Sequence, residues 1–287
     1  FPDRAVPMLP EILSNGWCSL KPDEDRACLA AHLWIDSKGN TIRHKFERAV
    51  MRSHARLTYR QVQAARDGCP DTQTAAMIEY VINPIFGAYE CFLAARQQRK
   101  PLELHVPEVD IRLDDRGHVI NIIERPKLES YNLIEEFMIA ANVAAATVLE
   151  CGLQPLLYRV HENPPIDKLQ SLHDFSHSLG LKFPNSKVLQ PSHFNRLIEH
   201  AVRIDMGPAI GQAVLRTQSK ACYTPENFGH FGLRVRSYCH FTSPIRRYAD
   251  LLIHLSLIHI SEAHETEAEL VCRLLLEKKV GGGGGGG

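Results

Sequence analysis

The sequence predicts a mixed α/β (α+β) fold in which β-hairpins and sheet are packed by helices. Two pairs of alternating segments flank short polar turns, and a long alanine-rich stretch reads as a buried helix. Strand-like and helix-like segments interleave along the whole chain, which argues against separate all-α and all-β units.

In order, Phe1 to Arg26 is punctuated by Pro2, Pro7, Pro10 and Pro22 and reads as an ordered but irregular opening. Residues 28–36 and 41–52 alternate as strands joined over Ser37, Lys38, Gly39 and Asn40. A helix follows from about Thr58 to Asp67, ended by Gly68, and a longer one from about Thr72 to Arg99, interrupted near Pro84. Residues 103–113 and 118–124 form a second hairpin around Asp114, Asp115, Arg116 and Gly117.

The segment 133–150, LIEEFMIAANVAAATVLE, is the clearest helix, closed by Gly152. Its alanines leave little side chain between backbones, so it is expected to cross the middle of the fold in close contact with its neighbours. Glu135 and Glu136 sit near its start, where the helix dipole favours them. Further helices are expected at about 166–178, 192–203 and 207–219. A strand at 230–238 would place Phe231, Leu233 and Val235 on one face and Arg234 and Arg236 on the other.

Composition is that of a globular chain, 44% hydrophobic and 23% charged, with room for one large domain or two small ones. No run reads as apolar enough to span a bilayer, so no membrane is expected as a partner. Eight cysteines occur without CxxC spacing, one of them in the last 33 residues. This pattern fits a reducing cytoplasm better than a disulfide framework. Net charge is zero, which gives no global signature of nucleic-acid binding. Locally, Arg216, Lys220, Arg234, Arg236, Arg246 and Arg247 face only Glu226 as an acid between 216 and 249, and such a patch can collect phosphates.

The most telling words are Tyr238 to His254, YCHFTSPIRRYADLLIH. Thr242 or Ser243 can cap a helix, Pro244 suits its first turn, and Arg246 and Arg247 fall where backbone N–H groups are expected to be unpaired. That is an anion site. The competing structural role for Arg246 is an i, i+4 ion pair with Asp250, worth about 0.3–0.5 kcal/mol if exposed.

This segment resembles the signature of the ribonuclease II/R (RNB) family of exoribonucleases. FPDRAVPMLPEILSNGWCSL at the start, SHARLTY at 53–59, LIEEFMIAAN at 133–142 and YTPENFGHFGL at 223–233 extend the resemblance, nearest to the family's ribonuclease R branch, across essentially all of 1–254. It implies a catalytic domain that hydrolyses single-stranded RNA from its 3′ end, releasing nucleoside 5′-monophosphates and working as a monomer when full length. By the same resemblance Arg246 is catalytic, and Arg247, with Thr242 and Ser243, contacts RNA phosphate. Tyr59 and Glu135 correspond to positions that recognise the ribose, a role a phenol or carboxylate can fill because a 2′-OH both donates and accepts.

The resemblance also implies Mg2+, held by an aspartate cluster that relatives carry upstream of the words matched at Phe1. Asp23, Glu24 and Asp25 lack its spacing, Asp114 and Asp115 belong to a turn, and His173 and His177 have helical zinc spacing without an evident third ligand. The chain is therefore expected to be an interior piece, inactive alone, of a larger exoribonuclease. The alternative is a non-catalytic RNA-binding member of the same fold. Leu104 stands where many relatives place an aromatic clamp, and Tyr131 and Asn132 where His and a basic residue are more usual.

After His254 the family words stop. Leu255 to Glu262, LSLIHISE, and Cys272 to Lys279, CRLLLEKK, back-translate into the ends of a common sequencing adapter, and a glycine run closes the chain. Residues 1–254 are thus expected to be a partial catalytic domain and 255–287 a non-native tail.

Overall fold

The computed structural model describes residues 6–104, 109–184, 186 and 189–259. Strands β1 (Asp25–Ile35) and β2 (Thr41–Arg52) pair antiparallel, with Asp25 opposite Arg52 and a bulge between Trp34 and Ile35. Their turn needs a glycine. Gly39 has φ +75°, and a Cβ there would lie 2.1 Å from the carbonyl oxygen of Cys91, so the hairpin tip presses directly on the helix behind it.

Helix α1 (Tyr59–Arg66) starts where Thr58 and Gln61 form a reciprocal capping box. The long helix expected from Thr72 to Arg99 breaks earlier than Pro84. A short α2 (Thr72–Ala75) gives way to a π-helical turn at Ile78–Ile82, and α3 (Asn83–Arg99) accepts Pro84 in its first turn, where no N–H is required. Strands β3 (Val109–Leu113) and β4 (Val119–Glu124) form the second hairpin; the expected strand residues 105–108 lie outside the described residues.

Helix α4 (Glu129–Cys151) follows, then β5 (Tyr158–Val160), α5 (Ile166–Ser178), α6 (Pro191–Val202), α7 (Gly207–Thr217) and β6 (Cys222–Thr224). Strand β6 pairs antiparallel with β5, a small sheet the sequence did not reveal because each strand has three residues. A further helix, α8, spans 248–259.

Residues 230–238 are not a strand. His230 pairs with Val235 across a tight turn, and Arg234 has φ +53°, so the apparent alternation of apolar and basic residues belongs to a loop closed on itself. The opening segment contains a π-helical turn at Ile12–Trp17 that buries none of its residues.

Among the described residues, three apolar clusters form the core. Helices α5, α6 and α7 enclose Leu172, Phe194, Leu197, Ile210 and Val214, each contributing about 1.5–3 kcal/mol by leaving water. A second gathers Ala145, Ala146 and Leu149 of α4 with Cys239, Phe241, Ile253 and Leu257. The third packs α1, the π-helical turn and α3 against Leu133 of α4. Helix α4 thus joins two of the three clusters. Its length and mean hydropathy of 1.3 meet the criterion for a membrane-crossing helix, contrary to the sequence expectation. Its apolar residues are instead used in the core, nine of its side chains being buried within the protein.

The domain limit expected at 254 falls inside α8. Leu257 is 1% exposed and packs with Ala145 and Phe241, so the helix is part of the core as far as it is described. The expected tail from 260 onward lies outside the described residues.

Candidate nucleic-acid interface

The arginine segment is built as a turn, and the helix begins after it. The Ser243 carbonyl accepts the N–H groups of Arg246 at 3.2 Å and Arg247 at 3.1 Å, and α8 starts only at 248. The free backbone donors expected there are therefore occupied, and any anion would be met by side chains. The expected cap is corrected as well. The Ser243 N–H donates to Asp250 Oδ1 at 2.7 Å, so the helix start is tied down by an aspartate in its own first turn and not by the hydroxyls of Thr242 or Ser243.

Asp250 is wholly buried and takes a two-pronged grip from Arg247, Nε to Oδ2 at 2.8 Å and Nη2 to Oδ1 at 2.8 Å. Nη2 also lies 3.4 Å from Thr242 Oγ1. The ion pair that sequence spacing offered to Arg246 thus belongs to Arg247, three residues away. Arg246 is exposed, and no hydrogen bond or ion pair engages its side chain among the described residues.

Aromatic and histidine side chains support this turn from below. The buried Tyr238 hydroxyl accepts a hydrogen bond from Asn142 Nδ2 at 2.9 Å, His254 Nε2 lies 2.8 Å from the Phe241 carbonyl, and the Tyr223 hydroxyl lies 2.7 Å from His240 Nδ1. Burial, reinforced by the neighbouring Arg247, pushes the His240 ring down to about 4, so it is neutral at neutral pH. His230 is likewise pushed down to about 4 by burial and by His161. Its Nδ1 is free to accept the Leu233 N–H at 3.1 Å, and His161 Nδ1 accepts that of Gly232 at 3.0 Å, which holds the 230–235 turn closed.

Helix α4 connects this turn to the predicted ribose residues. Asn142, 1% exposed, accepts the N–H groups of Phe241 at 2.8 Å and Thr242 at 3.3 Å. Glu135 stands seven residues earlier on the same face, about 10 Å along the axis at 1.5 Å per residue. It is exposed and lines a cavity of about 640 Å3 together with Leu104, Arg125, Lys127, Tyr131 and Asn132. Tyr59 is 42% exposed, its ring 4.3 Å from that of Tyr131, and its carbonyl accepts the Ser130 hydroxyl at 3.0 Å. Tyr59 and Glu135 therefore share the start of α4, while Arg246 stands at the far anchor; no described contact joins Arg246 to either.

Glu136, the other acid of that pair, is 3% exposed and bridges Arg96 at 2.5 Å and Arg99 at 3.2 Å. Burial is the largest single influence and works against the Arg96 charge, but the hydrogen bond to Glu136, together with the charges of Glu136 and nearby acids, holds the guanidinium above its ordinary value. The ion pairs of Glu136 were not read from the sequence, nor was Asn142, and Asp250 was read only as a partner for Arg246. The signal for Asn142 was present, a single amide inside an otherwise apolar run.

The basic patch expected from 216 to 247 is divided. Arg234 donates to the Arg99 carbonyl and to Gln190, Arg216 lines a groove with Lys168 between α5 and α7, and Arg247 is held by Asp250. Among the described residues, no group of three or more His, Cys, Asp or Glu could hold a metal ion. Asp25 pairs with Arg52, Glu24 with Arg26, and Asp114 closes its hairpin turn through the N–H groups of Arg116 and His118. The His173 and His177 rings stack 6.3 Å apart. These residues do not fit the divalent ion implied by the resemblance.

The model of the RNB domain matches residues 1–263. Ribonuclease R of Escherichia coli is 36% identical over 262 residues, covering 91% of this chain and 32% of its own length. The chain thus spans about a third of the curated relatives it matches. The apo form of Mycoplasma genitalium RNase R superposes with a TM-score of 0.82 at 31% identity, over 88% of this chain and 39% of the other. The same enzyme in complex with ribose methylated single-stranded RNA matches equally, also at 0.82 and 31% over the same shares.

Proposed function

Because the chain belongs to the RNB domain family, we propose that it is part of a 3′→5′ exoribonuclease that hydrolyses single-stranded RNA to nucleoside 5′-monophosphates. The observation that carries this reading is Arg246. It is a solvent-facing guanidinium with no partner among the described residues, on a turn fixed by Asn142 and Asp250. Leaving an arginine unpaired beside a buried aspartate makes sense if its partner arrives from outside.

Phosphodiester hydrolysis builds negative charge on the reacting phosphate, and a planar fork of N–H donors can meet two of its oxygens at once. Fixed donors act most strongly where charge develops, so Arg246 is assigned to the transition state. Tyr59 and Glu135, gathered at the start of α4, are assigned to the ribose, where the carboxylate accepts from the 2′-OH and the phenol can donate to it. The cavity beside Glu135, with Arg125 and Lys127 in its wall, is assigned to the nucleotides next to the scissile bond. Mg2+ remains a requirement we propose for the reaction, with carboxylates from outside the described residues.

The test is a chimera in which residues 1–263 replace the matching 32% of Escherichia coli ribonuclease R. With 5′-labelled single-stranded RNA and Mg2+, the reading expects a ladder that shortens from the 3′ end and the release of mononucleotides. A folded chimera that binds RNA without shortening it would instead favour the non-catalytic RNA-binding reading.

A further inference from the structure

We infer that Arg247 and Asp250 are a positioning pair that aims Arg246, and that Arg247 does not itself carry a phosphate. The inference deepens the reading of Arg246 as the phosphate contact and rests on it.

The Nε–Nη2 edge of the Arg247 fork, the one suited to two-pronged recognition, is already occupied. Nε and Nη2 both bond Asp250, and Nη2 reaches Thr242 Oγ1 as well. Asp250 is 0% exposed, so moving Arg247 onto a phosphate would leave a buried carboxylate without its counter-charge. An anion approaching Arg247 also meets the opposing charge of Asp250, and the pair as a whole attracts it little.

The same aspartate controls where Arg246 points. Asp250 Oδ1 reaches back to the N–H of Ser243, and the carbonyl of Ser243 accepts the N–H of Arg246. Ser243 is thereby pinned on both sides, and the residues before it are held from α4 by Asn142. Arg246 thus stands on a backbone with few alternative positions, which is what a preorganised charge requires. Arg247 sits beside it in sequence yet spends its donors inward.

A double-mutant cycle on the full 287-residue chain tests the inference. Four proteins are compared: the parent, Arg246→Ala, the apolar swap Arg247→Met with Asp250→Leu, and all three changes together. The swap removes both buried charges at once, which folds more readily than removing one. Affinity for a fluorescent single-stranded oligoadenylate is read by anisotropy across a series of KCl concentrations, with thermal melting to confirm folding.

The swap should weaken binding about as much as Arg246→Ala, and the triple variant no further. The slope of log affinity against log salt should fall once, by about 0.7, the value of one phosphate on a single strand. Two independent losses, with the slope falling by about 1.4 in the triple variant, would identify Arg247 as a phosphate contact in its own right and overturn the inference. A swap that binds like the parent would reduce the pair to a structural element and overturn it equally. If the swap does not fold, Arg247→Gln with Asp250→Ala replaces it in the same cycle, so that both charges are still removed and the same criteria hold. A parent chain that binds no RNA at all would remove both the inference and the reading beneath it, whereas parent binding that depends on Arg246 keeps that reading whichever way the cycle falls.

Discussion

Asn142 Oδ1 accepts the main-chain N–H of Phe241 at 2.8 Å, tying the centre of helix α4 to the strand of chain that leads into the arginine turn. Both ends of the amide are used. Its Oδ1 also serves Thr242, and its Nδ2 donates to Tyr238.

Asn142→Ala should therefore cost more than a typical buried polar truncation, because it strands the N–H groups of Phe241 and Thr242 together. About 2–3 kcal/mol of stability is expected to be lost. Urea denaturation of parent and variant measures it, and a loss under about 0.5 kcal/mol would mean that water or a shifted backbone replaces the amide.

Glu136 makes a second buried commitment. Glu136→Ala leaves Arg96 and Arg99 facing one another without their shared carboxylate, and about 3 kcal/mol should be lost. Glu135→Ala, one residue away but exposed, should change stability by no more than about 0.5 kcal/mol. Equal effects at the two positions in thermal melting would contradict the burial difference.

Acid should loosen the fold before carboxylates begin to titrate. His240 and His230 are held at about 4 when folded against an ordinary 6.5, so the neutral rings favour the native state. Above the ordinary value both states are neutral, and these residues add no pH dependence. As pH falls from 6.5 toward 4, the unfolded chain gains protons that the folded chain refuses, and stability drops. Melting temperature followed across that window should decline, and His240→Gln should flatten part of the decline. A constant or rising melting temperature on acidification would show that these rings are solvated.

The ribose assignment predicts a change in discrimination. Tyr59→Ala and Glu135→Ala should each lower the preference for single-stranded RNA over DNA of the same sequence by about five-fold, the worth of a hydrogen bond of about 1 kcal/mol. Parallel titrations with the two oligonucleotides provide the ratio. An unchanged ratio returns Tyr59 to its packing on Tyr131 and Glu135 to the helix dipole.

How far the sequence was legible depended on whether a residue's role was local. The first hairpin, α1 and the alanine-rich α4 were readable because turn chemistry, glycine stops and periodicity act between near neighbours. The supposed strand at 230–238 misled because alternation of Phe231, Leu233 and Val235 is also satisfied by a turn, and the left-handed Arg234 leaves no mark in a pattern of apolar and polar residues. Within the candidate site, Arg246, Tyr59 and Glu135 were named through the resemblance of the words around them, and their roles remain proposals. Spacing alone gave Asp250 to the wrong arginine, since i, i+3 and i, i+4 partners are equally near on a helix and the arginines precede the helix start. Asn142 acts on residues about one hundred positions away, a relationship that only the packing of α4 discloses.

The most direct test of the account is the split between turnover and affinity at Arg246. In the chimera with Escherichia coli ribonuclease R, Arg246→Ala should lower single-turnover hydrolysis of single-stranded RNA by about 10²–10³-fold, as expected when one transition-state donor is lost. RNA affinity should weaken by less than about ten-fold, since one phosphate contact among many is removed. Undiminished hydrolysis with affinity alone reduced would contradict the assignment and leave Arg246 as a contact that only holds the strand.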